Sequence, residues 1–148
     1  MVDWPTVVAS VSLSALGSLA VTEFQLRREK SLEESAEVEE WYGECYSYAF
    51  QVRRDWNKNF GDVDTYEMNL SELQSNLSLL ETQITRHASE GERMDLDDDV
   101  INKLDKLAEE CREATNRGLH NNSVEEFNEI EDDILEAARS VERSVDNR

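Results

Sequence analysis

Two histidines and two cysteines are the residues of this chain best suited to catalysis or metal binding, and neither pair falls into a known reactive spacing. A di-iron bundle needs Glu three residues before His. Here Ile84 stands three before His87, and Arg117 stands three before His120. Cys45 and Cys111 are far apart and form no C-x-x-C pair, so neither zinc nor a disulfide framework is indicated. Asp95, Asp97 and Asp99 imitate the opening of a calcium loop. The sixth position of that loop is then Val100 rather than Gly, and the twelfth is Lys106 rather than Glu. The acidic run fits better as a helix N-terminus, where carboxylates meet the positive end of the dipole. No phosphate loop, nucleophile elbow or H-E-x-x-H is present. The expectation is a non-enzymatic protein with no cofactor and no metal.

A second set of residues could do recognition rather than reaction. Eight of the eleven aromatics lie between Trp41 and Tyr66, interleaved with Arg53, Arg54 and Lys58. One helical seam cannot cover them all. Trp, Tyr and Arg are enriched where proteins hold one another. Tyr42, Tyr46, Phe50, Arg53 and Arg54 are therefore the candidate partner surface, with exposure of Phe50 or Tyr46 as the feature that would support it. A wide core face is the competing use of the same aromatics.

These residues need elements to position them, and the chain's period is helical. Tyr66, Leu70, Leu73, Leu77, Leu80, Ile84 and His87 alternate in steps of four and three, the apolar seam of a heptad. Val100, Leu104, Leu107, Cys111 and Ala114 repeat it, as do Phe127, Ile130, Ile134, Ala137 and Val141. Ser123 followed by Glu126 is a capping box opening the last of these. Gly61, Gly91 and Gly118 fall between the periodic segments and are expected to end helices. Upstream, Val38, Trp41, Cys45, Tyr48 and Val52 carry the same steps, so the stretch to about Phe60 joins the bundle. The predicted fold is all-α: an antiparallel three-helix bundle preceded by an apolar N-terminal helix that runs into its first helix.

That N-terminal helix divides the chain into residues 1–28, an anchor with a basic flank, and 29–148, an acidic bundle. No charge occurs from Val7 to Val21, with Trp4 before the run and Arg27, Arg28 and Lys30 after it. The asymmetry of basic residues places the N-terminus outside and the bundle in the cytoplasm, as a single-pass membrane protein. Thr6, Ser10, Ser14, Ser18 and Thr22 recur every fourth residue and form one hydroxyl stripe. Small residues at this spacing let transmembrane helices approach and associate. A cleaved signal peptide is disfavoured by the acidic start Met-Val-Asp-Trp-Pro. Burial of the segment within a soluble or virion-type assembly is the main rival. N-x-S sequons at Asn69, Asn76 and Asn121 stand against the cytoplasmic orientation.

Charge bounds the partners. The 148 residues carry 34 acids against 15 bases, a net charge of −19, with a mean hydropathy of −0.68. No basic stripe exists to neutralise phosphates, which argues against nucleic acid. A folded, acid-rich chain whose bases are mostly Arg suits a salt-saturated cytoplasm, where cations screen self-repulsion. The sequence therefore reads as a membrane-anchored interaction or assembly module of a halophilic cell, binding a protein partner or itself.

Overall fold

In a computed structural model the chain is all-helical. The model describes the backbone of residues 4–60, 66–119 and 123–148, and the side chains of 25–58, 70–119 and 123–148. Among the described residues there are four helices and no strand: α1 (Trp4–Phe60), α2 (Tyr66–Arg93), α3 (Asp98–Arg117) and α4 (Val124–Asp146). The chain divides into two compact units, residues 1–39 and 40–148.

In the first unit, residues 25–37 of α1 are exposed, including Leu26 and Leu32. Thr6, Ser10, Ser14, Ser18 and Thr22 lie on α1, and their side chains fall outside the described residues. Among the described residues no helix is long and apolar enough to cross a membrane.

The second unit is a helical bundle whose core is built by the heptad seams. Leu73, Leu77, Leu80 and Ile84 of α2, Val100, Leu104, Leu107 and Cys111 of α3, and Ile130, Ile134 and Val141 of α4 are all buried. The C-terminal part of α1 adds Trp41, Cys45, Ala49, Val52 and Trp56 to the same core. Four helical segments thus share it. Each fully buried Leu or Ile contributes about 1.5–3 kcal/mol relative to exposure, so apolar burial is the main support of this fold.

Local chemistry sets most of the ends. Asp97 caps α3, its side chain accepting from the Asp99 N–H, and Asp98 and Asp99 fill the first turn. Ser123 caps α4 by accepting from the Glu126 N–H at 3.2 Å. Gly118 follows α3 with φ of 70°, a backbone conformation that costs glycine little. Gly91 departs from the expectation of a helix break. It lies inside α2, which continues to Arg93, and the turn falls at Met94–Leu96 with Asp95 at φ 55°. Gly91 instead admits the Trp41 indole: a Cβ there would stand 2.2 Å from Trp41 Cζ2. Gly61 lies outside the described residues.

Candidate interaction surface

The aromatic stretch divides between core and surface according to its position around α1. Trp41, Cys45, Ala49, Val52 and Trp56 face inward. Tyr46, Phe50, Arg53 and Asn57 follow one another by four, three and four residues, so they share the flank next to that stripe. Tyr46 is 39% and Phe50 48% exposed, and Arg54, Asn57 and Lys58 are exposed as well. The Arg53 guanidinium lies 6.0 Å from the Phe50 ring centroid, within cation–π range. A shallow cavity of about 440 Å³ is lined by Phe50, Arg53, Arg54, Asn57 and Lys58.

Arg53 also ties this flank to α4. Its Nε–H donates to Glu142 Oε1 at 2.8 Å, in a partly buried pair. Partial burial screens this pair less than a fully solvated one, while the cost of desolvating its partners offsets part of the Coulombic gain. Arg54 lies 3.6 Å from the carboxylate of the buried Asp55. One turn on, the Trp56 indole N–H donates to Glu131 Oε2 at 2.9 Å, and its ring stacks on Phe127.

Tyr42 is placed differently from Tyr46 and Phe50. It is buried, its hydroxyl accepts from the Asp97 N–H at 3.1 Å, and the Arg148 guanidinium lies 3.6 Å from its ring centroid. Its work is to join the start of α3 and the chain's C-terminus to α1. Four of the five residues singled out in the sequence therefore lie on this flank; Tyr42 does not, because it is buried against Trp41, Asp97 and Arg148.

A second constellation lies on the other side of α1. Trp41 Nε1–H donates to the His87 carbonyl at 2.9 Å, and His87 Nε2 lies 2.8 Å from the Trp41 carbonyl. A carbonyl only accepts, so Nε2 carries a proton. The two rings stack at 5.0 Å, and Tyr48 meets His87 edge-on. Nδ1 of His87 faces Glu44 Oε2 at 3.3 Å and Glu90 Oε2 at 3.8 Å. A polar cavity of about 250 Å³ opens beside it, lined by Glu44, Tyr48, Gln83, Arg86, His87 and Glu90. Burial, then the Glu44 and Glu90 charges, raise the Tyr48 hydroxyl above its ordinary range. This clasp binds α1 to α2 by two reciprocal hydrogen bonds. Sequence reading marked His87 as the end of a seam, and nothing in the sequence singled out its pairing with Trp41.

Cys45 and Cys111 are free thiols within the core. Burial raises both, Cys111 to about 12, and Glu81 and Glu110 add to the effect at Cys111. Such thiols stay protonated and poorly nucleophilic. Among the described residues no group of three His, Cys, Asp or Glu side chains is arranged to hold a metal ion, the run Asp95–Asp99 included. His120 and Asn121 lie outside the described residues, as does the side chain of Asn69, which sits on α2. Compared with family models, curated proteins and solved structures, the chain finds no match in any of the three.

Proposed function

We propose that this chain is a non-enzymatic, membrane-anchored interaction or assembly module. Its N-terminal residues 1–28 form the anchor, and an antiparallel bundle within residues 29–148 acts in an acidic, high-salt cytoplasm. The observation that carries the reading is the exposure of Tyr46 and Phe50 beside Arg53 and Arg54. An apolar centre rimmed by arginines is the composition of an interface hot spot, and it stands out on a chain of net charge −19. The helix directions are supported by the pairs Arg53–Glu142 and Trp56–Glu131 between α1 and α4, and by Tyr42–Arg148 just beyond α4, in which numbers along α1 rise as the partner numbers fall.

The anchor rests on sequence: the uncharged run from Val7 to Val21, its basic flank and the hydroxyl stripe. Membrane fractionation of the full-length chain from a native-salt lysate tests it. Recovery in the membrane pellet, resistant to alkaline carbonate, is the expected result. A chain left in the supernatant would point instead to the soluble or virion-type assembly, with the N-terminal helix buried among subunits. The surface is tested by Phe50→Ala in the same lysate. Loss of co-purifying protein with unchanged circular dichroism is expected, and unchanged capture counts against a role for this flank.

A further inference from the structure

We propose that the occupant of the exposed α1–α4 flank is a second copy of this chain, docked by a two-fold contact in which α1 of each copy lies against α4 of the other. The inference rests on the interaction reading above and names its partner.

Among the described residues of the unit 40–148, the large exposed apolar side chains are Tyr46, Phe50, Leu79 and Val124. Tyr46 and Phe50 lie on α1 and Val124 on α4, whereas Leu79 lies on α2 and lines a cavity with Arg54 and Lys58. Beside Tyr46 and Phe50 stands Arg53, which reaches α4 at Glu142. Val124, 77% exposed, lies eighteen residues before Glu142, five full turns of an α-helix. It therefore projects from the same stripe of α4 as Glu142, near Glu131, which receives Trp56. Half-buried Leu135 continues that stripe. Tyr46 and Phe50 are neighbours on α1, and Val124 stands about 27 Å along α4 from Glu142, so the exposed apolar groups lie at two levels of this pair of helices.

Charge selects what covers it. The first three turns of α4, from Val124 to Asp133, carry Glu125, Glu126, Glu129, Glu131, Asp132 and Asp133 and no base. Beside them, the last turns of α1 carry Arg53, Arg54 and Lys58 against the single acid Asp55. Trp56 stacks on Phe127, so the basic and acidic strips sit side by side at one end of the bundle. A surface whose two halves have opposite charge is complementary to itself after a half-turn. A two-fold axis perpendicular to the helices at this level sets Arg54 and Lys58 of each copy against Glu125 and Asp132 of the other. The same rotation brings Phe50 towards the other copy's Val124. Net repulsion between two chains of −19 opposes the contact over long range. Molar salt, with a screening length of about 3 Å, removes most of that repulsion while sparing close apolar packing.

The test is a charge exchange on the full-length chain, in detergent and molar KCl, followed by sedimentation equilibrium. Arg54→Glu with Lys58→Glu makes one variant; Glu125→Arg with Asp132→Arg makes the other. Each alone should dimerise about tenfold more weakly than wild type, because like charges then oppose across the contact. Mixed in equal amounts, the two should recover wild-type affinity, since both halves of the hetero-pair again match. All four positions are exposed, so unchanged circular dichroism checks folding, and Phe50→Ser supplies an independent loss. A monomeric wild type, or variants that weaken association without recovery on mixing, overturns the inference. A dimer that ignores both charge variants and disappears with Ser14→Leu also overturns it, while leaving association through the membrane stripe, and so the wider reading, standing.

Discussion

Gly91 and Gly43 make opposite predictions from the same substitution. In an exposed helix interior Ala is favoured over Gly by about 1 kcal/mol. Gly43 meets nothing within 4 Å of a built Cβ, so Gly43→Ala should raise the denaturant midpoint by that order. At Gly91 the new methyl would collide with the Trp41 ring, which is buried and fixed by its bond to the His87 carbonyl. Overpacking of this kind costs about 1–3 kcal/mol and outweighs the propensity gain. Gly91→Ala should therefore lower the midpoint, and equal shifts in the two variants would refute the close approach. The buried thiols give a pH signature. Cys111 moves from 9.0 to about 12 on folding, so its contribution is fully present below pH 9 and is lost as pH rises towards 12. Cys111→Ala should flatten that alkaline decline in stability, measured by urea unfolding between pH 8 and 11. The cysteine burial was legible in the sequence, because both thiols sit on heptad positions. The indole at Gly91 was not: a glycine near the end of an apolar period reads as a stop, and only the tertiary partner reveals that the space is occupied.

At the scale of the helix, the seams, the Ser123 cap and the acidic opening of α3 follow from local rules; among the described side chains the seam positions of α2, α3 and α4 are buried, with Phe127 half-buried. Removing the cap by Ser123→Ala should cost about 1 kcal/mol, read as a lower thermal midpoint. Ser123→Asp should keep most of it. Leu77→Ala, at a fully buried seam position, should cost about 2–5 kcal/mol. Comparing these losses ranks the terms: one core leucine outweighs a cap severalfold. The aromatic segment was harder to divide. Tyr42 and Tyr46 are four residues apart on neighbouring lines of α1, and period alone put both beside the seam. What separates them is α3, whose first N–H groups need acceptors and find the Tyr42 hydroxyl. A helix-end requirement on another element thus draws one tyrosine inside and leaves the other at the surface.

For the whole molecule, charge is the dominant variable. A chain of −19 folded around a modest core repels itself, and cations relieve that repulsion. Helicity measured by circular dichroism should fall as KCl is lowered from molar to millimolar, and an unchanged spectrum would remove the high-salt reading. Some of the few bases pair within the chain. Lys106 pairs with Glu110 at 2.8 Å, raising its ammonium, and Arg143 with Glu136, lowering that carboxyl. Exposed pairs of this kind hold little energy each, so they temper the surface rather than build the fold.

The two buried indoles also give the bundle separate clocks. Trp41 Nε1–H is bonded to a backbone carbonyl beside Gly91, whereas Trp56 Nε1–H is bonded to the Glu131 side chain near the start of α4. Each proton exchanges with solvent only when its own end of the bundle opens, so two well-separated NMR signals report two local equilibria. Fraying that begins at the α1–α4 end would free Trp56 while Trp41 stays protected. Closing that end against a second copy would slow exchange at Trp56 and leave Trp41 unchanged.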